Sequence, residues 1–128
     1  MRYLLDTHTF LWAIDEDQLL SDNANEIIMD KRNDLFLSIA SIWEIAIKVS
    51  LEKLDITFSF ENQIEEILSE YRIDVMSIAI SHTKQIIRLP FHHKDPFDRI
   101  IVAQSLVEGM ALVSNDKVLD AYDINRLW

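Results

Sequence analysis

Four carboxylates in this sequence stand where an apolar run stops or a helix begins: Asp6 in "YLLDTHTF", Glu44 in "SIWEIAIK", Asp98 in "DPFDRIIVAQS" and Asp116 in "LVSNDK". Carboxylates brought together repel one another, and a chain keeps them so only if something positive fills the gap. Mg2+ or Mn2+ is the natural occupant. Hard oxygen ligands suit these ions, and Mg2+ takes one or two carboxylates directly while retaining water and phosphate oxygens at about 2.0–2.1 Å. A cation held in this way gives phosphodiester hydrolysis a complete mechanism: a bound water is acidified to hydroxide, a carboxylate takes the proton, and positive charge faces the phosphate oxygens as the bond breaks.

Each acid also has a purely local explanation. Asp95 before Pro96 is a strong helix start, because an Asp N-cap accepts a backbone N–H and proline at the first helical position loses no donor that the helix needs. Asp98 then falls at N3, where a carboxylate is favoured by the helix dipole. Asp6 and Asp116 can cap "THTFLW" and "KVLDAY", and taken singly capping is the stronger reading of both. "SIWE" (41–44) fits a capping box, and Glu44 to Lys48 is a standard i,i+4 pair. Yet Glu44 lies among Ile42, Trp43, Ile45 and Ala46, and a carboxylate in such company must be paired, metal-bound or at the lip of a pocket. Ser, Thr and Asn cap as well as Asp does, so capping alone does not explain acids at all these places. Asp95 is assigned to the cap, with membership of the site as the alternative.

The elements that would position these acids follow from the hydrophobic period. "RYLLD" (2–6) is a strand, "TFLWAI" (9–14) a helix, and Ser21 caps a helix over "DNANEIIMDK". "DLFLS" (34–38) is strand-like, and "IASIWEIAIKVSLEKL" (39–54) reads as a mostly buried helix. "SFENQIEEILSEYR" (59–72) is amphipathic with Ile64, Ile67, Leu68 and Tyr71 on one stripe; "IDVMSI" (73–78) is a strand and "SHTKQIIRL" (81–89) a helix. The helix over 96–109 stops at the only glycine, Gly109; "MALVSND" (110–116) is a strand, and "KVLDAYD" (117–123) starts a last short helix. Alternating strands and helices mean an α/β domain with a central, mainly parallel sheet. In such sheets ligands bind outside the carboxyl ends of the strands, so all four acids can face one crevice.

Composition sets further limits. At 128 residues and 49% hydrophobic the chain is expected to form one domain over 1–128 with a substantial core. It has no cysteine, which excludes disulfides and thiolate metal sites. With 22 acidic against 12 basic residues the net charge is −10, which argues against non-specific coating of nucleic acid. No secretory leader or membrane-spanning run is legible, so a cytoplasmic location is expected.

The segments "YLLDTHTFLWAI", "SIASIWEIAIKVSLEKL" and "LPFHHKDPFDRIIVAQSLVEGMALVSND" together resemble the PIN-domain ribonucleases, specifically the VapC-type toxins of prokaryotic toxin–antitoxin pairs. The resemblance runs from Tyr3 to the C-terminus; each motif is weak alone, and their order and spacing carry it. It implies a three-layer α/β/α fold and a metal-dependent ribonuclease in which Asp6, Glu44, Asp98 and Asp116 serve catalysis and hold Mg2+ or Mn2+. It also implies a homodimer, a small inhibitory antitoxin and an RNA substrate. Ser114 fits the Ser or Thr that family members place two positions before the last acid.

His92, His93, Lys94 and Arg99 are candidates to meet RNA phosphates, against the alternative of a solvated loop. The paired histidines lack the further His or Cys spacing of a transition-metal site. Thr7, Ser38 and Ser41 either tune the waters of a metal or cap. Lys48 has the same two readings, and Trp12 and Trp43 are read as core rather than base-stacking platforms. Two rival functions come from other classes: a catalytically inactive PIN-like scaffold that only binds proteins, and a phosphoacceptor receiver domain. The second would need paired acids at the first strand and a lone Asp at a middle one, whereas "LLDT" has one acid and "LFLS" ends without any.

Overall fold

The computed structural model describes residues 1–128. Its strands are β1 (Arg2–Leu5), β2 (Asp34–Ser38), β3 (Ile73–Met76), β4 (Ala111–Val113) and β5 (Arg126–Leu127). They form one sheet in the order β3-β2-β1-β4-β5, and every ladder in it is parallel. The helices are α1 (Thr7–Asp15), α2 (Asp22–Met29), α3 (Ile39–Ser50), α4 (Phe60–Glu70), α5 (Ile80–Arg88) and α6 (Pro96–Glu108). Short 3-10 turns cover Asp17–Leu19 and Lys117–Ala121.

The pleat divides the apolar residues between two cores. Tyr3, Leu5, Leu35, Leu37, Ala111 and Val113 point to one face, where Phe10 of α1, Ile28 of α2, Ile45 of α3 and Leu68 of α4 cover them. Leu4, Phe36 and Leu112 point to the other, beneath Ile101 and Val102 of α6 and Ile86 of α5. A sheet buried on both faces explains why the strands read as continuous apolar runs rather than alternating ones. The fold is thus the expected three-layer α/β/α arrangement. From β1 the chain steps outward to β2 and β3, then crosses back to lay β4 on the opposite side of β1. The carboxyl ends of β1 and β4 therefore flank the switch point at which a crevice opens.

The structure departs from the sequence reading in several places. The helix expected over 39–54 stops at Ser50: Glu52 adopts a left-handed φ of 55°, and the Lys53 N–H turns back to the Lys48 carbonyl at 2.9 Å. That is a Schellman ending with Glu in the place where Gly would have signalled it. Nor is α3 mostly buried; Trp43 is 60% exposed and meets Phe97 edge-on at 5.2 Å instead of entering either core. The last strand before the C-terminal turn is shorter than 110–116, with Ser114, Asn115 and Asp116 leaving the sheet to form a turn. The two-residue β5 carries too little pattern to be read from sequence.

Gly109 ends α6 at φ 62° and ψ 34°, with open space where a Cβ would stand. Its requirement is purely one of backbone conformation. Gly109→Ala should cost about 1–2 kcal/mol with no packing contribution, seen as a lower urea midpoint at unchanged m-value.

Candidate metal centre

Asp6 follows β1 and caps α1. Its carboxylate is almost wholly buried, with Oδ1 accepting the Thr7 N–H at 2.8 Å and Oδ2 accepting the Ser114 hydroxyl at 2.7 Å. The Ser114 oxygen in turn accepts the Asp116 N–H at 3.1 Å, so one hydroxyl ties the end of β1 to the end of β4. Burial pushes the Asp6 carboxyl above its ordinary range, opposed by the bonds from Ser114 and Thr7. Asp116 caps the turn that follows, its Oδ1 accepting the Val118 N–H at 3.1 Å.

Asp98 behaves differently. The N-terminal donors of α6 are taken by Asp95, which accepts from Phe97 at 2.8 Å and from Asp98 itself at 3.4 Å. The Asp98 carboxylate is left to the crevice. Burial first, then the charges of Asp6, Asp95, Glu44 and Asp116, push it up to about 7. Capping and convergence are therefore not alternatives. Asp6, Asp95 and Asp116 all cap, and their charges still meet around Asp98.

Glu44 enters from the second turn of α3. The N-cap of that helix is Ser38, which accepts the Ala40 N–H at 3.1 Å, so the capping box expected from Ser41 and Glu44 does not form. Glu44 Oε2 instead pairs with Lys48 at 2.9 Å, while Oε1 lies 2.9 Å from the Thr7 hydroxyl. Thr7 Oγ also lies 2.8 Å from Ser41 Oγ; because an ionised carboxylate only accepts, Thr7 donates to Glu44 and accepts a hydrogen bond from the Ser41 hydroxyl.

His93 completes the crevice. Its Nδ1 accepts the Asp95 N–H at 3.1 Å, which leaves the proton of the neutral ring on Nε2, 3.1 Å from Asp98 Oδ2 and 3.8 Å from Asp116 Oδ2. The ligand atoms of His93, Asp98 and Asp116 all lie within 4.8 Å of one another. Carboxylate oxygens dominate this group, and Asp98 is raised by burial and by the negative charge around it. The donor chemistry fits a hard divalent cation, with Asp98 and Asp116 as its nearest anchors.

The remaining candidates separate. His92 is exposed and packs edge-on to Tyr122 at 5.2 Å; Lys94 is exposed on the same loop. Arg99 must be corrected: it is buried and donates to the carbonyls of Pro90 at 2.9 Å, Ile86 at 3.3 Å and Leu89 at 3.4 Å. With its guanidinium also 4.3 Å from the Phe91 ring, it has no free fork for a phosphate and serves to fix the loop that carries His93. Tyr122 was missed by sequence reasoning. Its hydroxyl accepts the His93 N–H at 3.0 Å, a contact across 29 residues with no local signal. The bond from Asp95 to His93 did have one, in the spacing of "HKD".

The PIN domain family model matches residues 3–125. The chain belongs to the PIN domain family. This PIN domain is similar to Ribonuclease VapC22 of Mycobacterium tuberculosis, with 25% identity over 119 residues that cover 93% of this chain and 90% of the relative. Among solved structures it resembles a chain of VapBC2 from Rickettsia felis bound to a DNA fragment from its promoter, at a TM-score of 0.74, 18% identity and coverage of 99% and 98%. It also resembles a chain of DNA-bound VapBC from Salmonella typhimurium, at a TM-score of 0.70, 14% identity and coverage of 99% and 97%. A receiver domain is thereby set aside.

The raised Asp98 gives this PIN domain a pH signature. The folded chain holds that proton up to about pH 7, whereas the unfolded chain releases it near the ordinary value of 3.8. The folded state thus binds more protons across that window, and metal-free stability should fall as pH rises through it. Melting scans should show this decline in the wild type and a flatter profile in Asp98→Asn, which should melt at or above wild type near pH 8. Mn2+ at about 100 times its Kd should add roughly 2.7 kcal/mol to the wild type and little to the variant. A residue at α6 N3 that served only the helix dipole would give the opposite pair of results: a lower metal-free melting temperature and an intact Mn2+ response.

Proposed function

We propose that this PIN domain is a Mg2+- or Mn2+-dependent endoribonuclease and the toxin of a toxin–antitoxin pair. The observation that carries the reading is the convergence of Asp6, Glu44, Asp95 and Asp116 on the part-buried Asp98: burial first, and then those charges, push its carboxyl up to about 7, and the crevice is left in need of positive charge. The relative named as a ribonuclease supports RNA as the substrate.

Asp98 and Asp116 would anchor the cation, and Asp6 presents a third carboxylate fixed by Ser114 and Thr7. When bound there, a cation would supply an acidified water and offset charge on the scissile phosphate. Glu44, held by Thr7 and Lys48, adds negative charge from α3 and stands ready to order a water or accept its proton. His93 keeps its Nε2 proton directed at Asp98, where it would be available to a phosphate oxygen of the substrate. Asp6→Asn and Asp98→Asn should each abolish Mn2+-dependent cleavage of RNA while leaving far-UV circular dichroism unchanged. Cleavage that persists in both variants with chelator present would sink the reading.

The solved VapBC relatives support a small antitoxin as partner, and a homodimer goes with the same reading. On a chain of net charge −10, an acidic crevice is an obvious seat for an Arg or Lys side chain of that partner, which would compete with the cation. Affinity for the cognate antitoxin should therefore drop at least tenfold in an Asp6→Asn, Asp98→Asn double variant, measured by titration calorimetry at low salt. Equal affinity at every salt concentration would place the inhibitor elsewhere.

A further inference from the structure

A second cavity, of about 540 Å³ and open to solvent, adjoins the acid cluster on the side of α1. His8, Trp12, Asn115, Asp116, Lys117 and Val118 line it. Asp116 is common to both, and His8 is close enough to lower the Asp6 carboxyl by its charge, so the cavity begins where the carboxylates end. His8 and Trp12 are one helical turn apart, which sets their rings on the same face of α1 with centroids 5.9 Å apart. The sequence reading placed Trp12 in the core. The structure leaves it only partly buried, on the wall of this cavity, with Trp128 packed against it edge-on at 5.9 Å to hold the indole.

We propose that this cavity is a nucleobase subsite that takes the base of a nucleotide next to the scissile phosphate. The inference rests on the ribonuclease reading above and names where that substrate is gripped. An aromatic wall beside a phosphate-directed metal site offers the π-surface on which any base stacks, and the volume lies in the range of pockets that hold small ligands. Lys117 sets a cation at the rim of an otherwise acidic surface, where it meets the backbone of the same strand of RNA. The exposed Asn115, which also lines the cavity, brings one amide donor set and one acceptor, the chemistry that reads the hydrogen-bonding edge of a base. A partner protein's side chain is a different occupant, less well matched by an amide and a lysine placed around an aromatic wall.

The test uses the full chain, Mn2+ and a short fluorogenic RNA, alongside copies of that RNA with one abasic residue on either side of the cleaved bond. For the wild type, an abasic residue at one of the two flanking positions should raise KM about tenfold and change kcat far less. Trp12→Ala should raise KM for intact RNA by a similar factor and lose the discrimination, Trp12→Phe should restore most of it, and the exposed His8→Ala should raise KM about threefold. With chelator present, where no cleavage occurs, intact RNA should quench tryptophan emission more in the wild type than in Trp12→Phe. If Trp12→Ala melts early, the abasic series on the wild type together with Trp12→Phe and His8→Ala decides the matter.

An unchanged KM in the Trp12 and His8 variants, or no abasic penalty, overturns the subsite and leaves the ribonuclease reading intact. Weaker antitoxin binding with unchanged KM assigns the cavity to a protein partner and overturns it as well. A wild type that cleaves no RNA removes both.

Discussion

The charge of Asp98 is opposed by four other carboxylates, those of Asp6, Asp95, Glu44 and Asp116, in a pocket that water reaches only in part. Much of the architecture around it can be understood as holding that unfavourable arrangement in place. Two parallel strands end at the switch point, and the helices that begin there deliver their acids from separate directions. Thr7 and Ser114 then fix the carboxylate of Asp6, and Thr7 and Lys48 that of Glu44, with Ser41 bracing the Thr7 hydroxyl. A side chain with fewer partners would swing away from its neighbours and relieve the repulsion. The hydroxyls deny it that freedom, and the cores on both faces of the sheet supply the stability against which the repulsion is set.

The layered fold was legible because its signals are local. Strand pleat, the Ser21 cap, Asp95 with Pro96, and Gly109 each act within a few residues, and each was found where the sequence marks it. The start of α3 at residue 39 agrees with the sequence reading, although its cap is Ser38 rather than Ser41, and its end was misread for a local reason: the stop uses Glu52 in a left-handed conformation. The exposure of Trp43 could not be read, since helix periodicity says which residues share a face and not whether another element covers it.

For the site, residue type and position gave the acids, while the division of labour among them depends on distance. The spacing of "DPFDR" gives Asp95 the cap, but nothing in it says how closely the other acids approach Asp98, or that Arg99 is absorbed by carbonyls at the end of α5. His93 illustrates the same limit. Its neighbours in sequence fix the tautomer, but its neighbours in space, Tyr122 and Asp116, come from the far side of β4.

A parallel sheet has two rims that a strand from another molecule could extend, and here both are poorly suited to it. β3 is four residues long and turns the exposed Asp74 outward; β5 is only two residues long, and its Arg126 is bound to Asp120 at 2.6 Å. Short rims carrying charge give a neighbouring chain few backbone groups to pair with and a desolvation penalty for trying. Pairing through either edge of the sheet is therefore disfavoured, and with it the stacked, fibrous assembly to which exposed β edges are prone.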